Sequence, residues 1–114
     1  MIKRLTMWHA RKGVTPEAAL LRWRTDHADL VRQVPGLRRY VQNHCIDSPE
    51  GAGVPYTGLG EVWFDSFAAA AEATKTVEWS AVIADAGSFM DISTVVATWA
   101  SEFELIGIDD LGSA

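Results

Sequence analysis

Apolar and polar residues alternate with a period of two along residues 2–10, which predicts a first strand. Leu5 and Met7 share one face of it; Arg4, Thr6 and Trp8 share the other. One apolar and one mixed face suit a strand with helices against one side and a wetter surface on the other. From Thr15 the period changes. Leu20, Trp23, His27, Leu30 and Val34 recur at spacings of three and four, which predicts one amphipathic helix. Thr15 is placed to cap it, Pro16 sits at the first helical position, and Pro35-Gly36 ends it.

Residues 37–46 alternate again, with Arg38, Tyr40, Gln42 and His44 on one face and Arg39, Val41, Asn43 and Cys45 on the other. Residues 47–56 are rich in turn formers and read as a long hairpin loop, suited to a lid. A third strand over about 57–65 puts Val62 and Phe64 opposite Leu59, Glu61, Trp63 and Asp65. Ser66 caps an alanine-rich helix over 67–74. Thr76 restarts helix to Ala86, with Trp79, Val82, Ile83 and Ala86 inward. A last strand spans about 93–104, with Val95, Ala97 and Trp99 on one face, and a short tail from 105 holds Asp109, Asp110 and Gly112.

The order strand-helix-strand-strand-helix-strand is the ferredoxin-like βαββαβ arrangement of the α+β class: a four-stranded antiparallel sheet with two helices on one face. At 114 residues the chain reads as one domain, 1–114, long enough to bury a core without staples. The uncovered sheet face calls for a partner, and two such faces packed together make a homodimer with a barrel-like interior. Arginines of the second strand would then meet Glu102 and Glu104 of the last.

Composition narrows the function. The net charge of −5 argues against nucleic acid as a partner. No apolar run reaches the ~18 residues of a membrane span, and the lone Cys45 fits a reducing compartment, so a cytoplasmic protein is expected. All the basic residues except Lys75 lie at or before Arg39, while most acidic ones follow from Asp47, a division that suits an anion site or pairing of the two halves. Five tryptophans supply large apolar surfaces for core, pocket wall or interface.

Of the residues able to do chemistry, His27 leads, because an imidazole on an inward stripe titrates near neutral pH and can move a proton. Its neighbours one turn away carry no carboxylate, so an orienting group is expected from the sheet. Tyr40 can donate a hydrogen bond to a developing oxyanion. Arg38, Gln42 and His44 share its face, and Trp8, Glu61 and Trp63 complete the expected pocket; enclosure of Glu61 would raise its pKa. His44 and Cys45 are strand neighbours on opposite faces and make no dyad. His9, His27 and His44 lack metal-ligand spacing, and Gly58-Leu59-Gly60 lacks the rest of a dinucleotide fingerprint. No metal and no cofactor are expected.

The chain resembles the EthD-like family of the dimeric α/β-barrel superfamily. The resemblance rests on Trp23-Arg24-Thr25-Asp26-His27-Ala28, Val34-Pro35-Gly36-Leu37-Arg38-Arg39-Tyr40 and Glu61-Val62-Trp63-Phe64-Asp65, and it extends over about residues 2–105. The family's namesake is associated with an ether-degradation cluster. Similar proteins include a cofactor-free methylmuconolactone methylisomerase and fungal enzymes of polyketide aromatics. The resemblance implies pocket roles for His27 and Tyr40. It implies cofactor-independent isomerase, lyase or cyclase chemistry on a small aromatic, lactone or polyketide-like molecule. A non-catalytic small-molecule-binding accessory protein and a cofactor-free monooxygenase are the alternatives.

Overall fold

A computed structural model describes residues 1–109; Asp110 and Gly112 of the expected tail lie outside the described residues. The chain runs through β1 (Ile2–Trp8), α1 (Pro16–Arg22), a π-helical turn (Trp23–His27), α2 (Ala28–Val31), β2 (Arg39–His44), β3 (Gly58–Phe64), α3 (Phe67–Ala73), α4 (Val77–Ala86), a 3₁₀ turn (Ile92–Thr94) and β4 (Val96–Ser101). The strands form one antiparallel sheet in the order β2-β3-β1-β4, the ferredoxin-like α+β fold.

Three helix starts follow directly from sequence. The side chains of Thr15, Ser66 and Thr76 accept hydrogen bonds from the backbone N–H groups of Ala18, Ala69 and Trp79, satisfying donors that a helix start leaves free. The first helix, by contrast, is not uniform. Its middle turn is π-helical, and the N–H of Ala28 reaches the carbonyl of Trp23, five residues back. The wider turn sets Trp23, His27 and Val31 at successive spacings of four on the buried side, with Ala19 and Ala28. Leu20 and Leu30, expected on the stripe, are only partly buried.

Of the two faces of β1, the mixed one meets the helices. Ile2 and Trp8 are buried against the helices, so the mixed row with Arg4 and Thr6 faces inward and Leu5 and Met7 face outward. Bulky Ile2 and Trp8 at the two strand ends outweigh the apolar pair in its middle. Lateral pairing then gives four inward rows across the sheet: Ser101-Ile2-Phe64, Trp99-Arg4-Val62-Tyr40, Ala97-Thr6-Gly60-Gln42 and Trp8-Gly58-His44. The last strand starts later than expected, because Asp91 caps the 3₁₀ turn by accepting from Ser93 N–H and holds Val95 outside the ladder. Glu102 pairs within the chain, with Lys3 at 3.0 Å.

The long loop after β2 is fastened at its far end. The ring of His9 packs on Tyr56 at 4.9 Å and donates from Nε2 to the Pro55 carbonyl at 2.8 Å, and Thr57 N–H donates to the Trp8 carbonyl. The core falls into two clusters, one around Phe64 and Val62, the other around Trp8, Trp23 and Phe89.

Candidate functional site

A cavity of about 320 Å³ opens between the inward sheet face and the helices, reached by both core clusters. Its floor carries Arg4, Thr6, Gly60, Val62 and Tyr40; the helices add Trp23, His27, Trp79 and Val82, among others. The volume lies at the small end of the roughly 300–1,000 Å³ usual for ligand sites.

Two glycines shape one end. A Cβ on Gly58 would lie 2.6 Å from Trp8 Nε1 and 2.8 Å from Trp23 Cζ3, and one on Gly60 would lie 3.2 Å from Trp23 Cζ2. The bare backbone lets both indoles lie on β3, edge to face with each other at 5.1 Å. Gly58-Leu59-Gly60 thus serves ring packing. Trp8 Nε1 is buried there with no hydrogen-bond partner among the described residues.

His27 is 4% exposed and lines the cavity. Its Nδ1 lies 2.9 Å from Asp85 Oδ2, on α4, and no protein group among the described residues bonds Nε2. The orienting carboxylate therefore comes from the second helix layer and not from the sheet. Asp85 also accepts from Arg22, which in turn holds Asp26 at 3.0 Å. Burial alone raises the Asp85 carboxyl, but the hydrogen bonds from Arg22 and His27 outweigh it, and its pKa lies below the ordinary value. For His27 burial is the largest influence and lowers the pKa; Asp85 opposes it and Arg22 adds to it, and the net shift is downward. At neutral pH the ring is uncharged, with Nδ1–H donating to the carboxylate and the lone pair on Nε2.

Tyr40 stands on the floor in the same row as Arg4. Its hydroxyl accepts from Gln42 Nε2 at 2.6 Å, which leaves the phenolic proton free to donate. Burial raises its pKa to about 12, against smaller opposing effects of Gln42 and Arg32, so the phenol stays protonated. Gln42 also donates to the Trp23 carbonyl at 2.8 Å and accepts from His44 Nε2 at 3.0 Å, while His44 stacks on Trp23 at 5.2 Å. Gln42 and His44 are thus behind the cavity wall, tying β2 to the π-helical turn. Burial first, then Arg24, lowers the His44 pKa.

Three expected pocket residues lie elsewhere. Arg38 is an exposed strand-end residue, 3.7 Å from Asp65. Glu61 and Trp63 point to the outer sheet face, because their register positions oppose Leu5 and Lys3. There Glu61 bonds Lys3 at 2.8 Å and Asn43 at 3.0 Å. Burial raises the Glu61 carboxyl, yet these two partners and Arg39 hold it below its ordinary value, opposite to the rise expected for an enclosed acid. Trp63 is covered by Lys3 and Arg39, 5.0 and 4.5 Å from its ring. Asp85 and Arg4 replace them in the site. Asp85 lies three residues after the buried Val82, the only trace of it in the pattern; Ile83, expected inward, is 48% exposed.

Among the described residues no three His, Cys, Asp or Glu side chains gather as metal ligands, and no helix is long and apolar enough to cross a membrane. The family model for the EthD domain matches residues 11–93, from before the first helix to the turn before β4. The chain belongs to the EthD family. Solved structures similar to this EthD chain include an ethyl tert-butyl ether d (EthD) family protein from Bacillus halodurans, 23% identical, covering 90% of this chain and 99% of its own, with a TM-score of 0.78. The protein At3g17210 of Arabidopsis thaliana is 19% identical, covers 93% and 99%, and has a TM-score of 0.73. A dimeric ferredoxin-like protein of Thermobifida fusca is 18% identical, covers 89% and 90%, and has a TM-score of 0.68. At these identities the likeness is one of fold. No curated protein matches the EthD chain by sequence.

Proposed function

We propose that the cavity carries out cofactor-independent proton transfer on a small aromatic, lactone or polyketide-like compound, in a degradative or secondary-metabolite pathway. The observation that carries this is the His27–Asp85 pair, with a neutral imidazole whose Nε2 has no protein partner at the cavity. Nε2 takes a proton from a carbon next to a carbonyl. The C–H electron pair becomes an enolate, whose oxygen accepts the Tyr40 O–H. The imidazolium then returns its proton to a second carbon in an isomerisation. In a cyclisation the enolate carbon attacks another carbonyl and the new alkoxide takes the proton.

Nuclear magnetic resonance in D₂O tests this with a panel of lactones, phenolic ketones and β-keto acid mimics. Solvent deuterium enters the acidic carbon of a true substrate, and His27→Ala slows that exchange about 10²–10⁴-fold. Binding without exchange or turnover across the panel, or exchange unchanged in His27→Ala, contradicts the reading and favours a binding protein.

The outer face supports a homodimer. Leu5, Met7, Val41 and Leu59 are only partly covered there, and the Thermobifida fusca structure is described as dimeric. Light scattering at micromolar concentration is expected to give twice the chain mass; a monomer contradicts it.

A further inference from the structure

Arg4 lies partly buried in the cavity floor, and no carboxylate among the described residues pairs with it. Among the described residues the other enclosed cation, Lys3, is paired with Glu61 and Glu102, and the half-exposed Arg22 is paired with Asp26 and Asp85. Arg4 has no ion pair among the described residues. Its Nη1 donates to Thr6 Oγ1 at 2.7 Å, and its guanidinium carbon stands 5.4 Å from the centre of the Trp79 ring. One hydroxyl and one ring face leave most of its five N–H donors without a protein acceptor among the described residues. Burial is the cause of its lowered pKa, with no nearby charge opposing or assisting it. Arginine nevertheless stays cationic, and an enclosed cation is costly until something anionic pairs with it.

We infer that Arg4 is the anchor for a carboxylate on the ligand of this cavity, and that the ligand is a small aromatic or cyclic carboxylic acid. The guanidinium fork matches a carboxylate through two parallel hydrogen bonds, and the Trp79 ring beside it, 5.4 Å away, supplies an apolar wall. Arg4 and Tyr40 face the cavity from the same sheet row, with β3 between them. Two strand spacings, about 9.5 Å, separate their backbones, so one ring fits between a carboxylate on Arg4 and an oxygen on Tyr40. The remaining lining is mainly apolar, which suits a ring and disfavours a second charge. This inference rests on the proton-transfer reading for its placement of the reacting carbon, but binding alone tests it.

Isothermal titration calorimetry with benzoate, phenylacetate and 4-hydroxyphenylacetate, each against its primary amide, is the experiment. The wild-type protein is expected to bind at least one acid about ten- to a hundred-fold tighter than its amide. Arg4→Met is expected to abolish that preference, and Arg4→Lys, which keeps the charge but loses the fork, to retain part of it. His27→Ala is expected to keep the preference even though it loses exchange chemistry, so that failure of the anchor and failure of the catalytic role are read separately. Equal affinity for acid and amide in the wild-type protein, no binding of any of the acids, or an undiminished preference in Arg4→Met overturns the inference. The wild-type comparison stands even if Arg4→Met fails to fold.

Discussion

The two faces of the sheet carry the same chemical types and treat them in opposite ways. On the outer face Glu61 has Lys3 and Asn43, and Trp63 is covered by Lys3 and Arg39. On the inner face, among the described residues, Arg4 has no carboxylate, His27 Nε2 has no protein partner, and the Trp8 N–H is buried unpaired. A buried donor left unmade costs about 1–3 kcal/mol, and among the described residues the one such side-chain donor, Trp8 Nε1, lies beside this cavity. Polar residues that are mutually satisfied read as structure. Polar residues left open around a cavity read as a site.

Substitutions can break this contrast. The largest effect is expected at the inner face, where His27→Asn lowers the rate of deuterium exchange about 10²–10⁴-fold while circular dichroism stays native. Asp85→Asn is expected next, at about 10²-fold, because an amide at that point can donate to Nδ1 and place the ring proton on Nε2, the wrong nitrogen for a base. Gly58→Ala tests the packing beneath the site. Its new Cβ meets two indole rings, and urea denaturation is expected to show a loss of about 1–3 kcal/mol. At the small end, Glu61→Gln is expected to cost under about 1 kcal/mol and leave ligand affinity unchanged. A larger loss of affinity there would move the site to the outer face.

The pH dependence follows from His27. Its folded pKa is below the unfolded value of about 6.5, so the unfolded chain binds the extra proton more readily. The stability it contributes is complete above about pH 6.5 and is lost as pH falls from there through the folded pKa. Denaturation midpoints are expected to fall over that window in the wild-type protein, and His27→Asn is expected to flatten that slope.

Much of the layout was legible in the sequence, because alternation and the three-four stripe report directly which side chains share a face. Tyr40, Gln42 and His44 fall on one face of β2, and His27 on the buried stripe, as the periods require. Which face of β1 meets the helices was not legible, since period two gives the division but not its direction. That choice turned on Ile2 and Trp8 at the strand ends, and it decided whether Arg4 was inside. Asp85 was hidden for a related reason: periodicity counts a charged residue beside an inward stripe as outward, and only the approach of α4 to the π-helical turn shows its partner. Glu61 and Trp63 show the opposite case. Their residue types suggest a pocket, while the register sends them to the other face.

The most direct test of the account is nitrogen-15 spectroscopy of the His27 ring at pH 7 in the free protein. The expected result is a neutral ring with the proton on Nδ1, bonded to Asp85, and an unprotonated Nε2, with titration only below about pH 6.5. A ring protonated on both nitrogens at pH 7, or carrying its proton on Nε2, would contradict it.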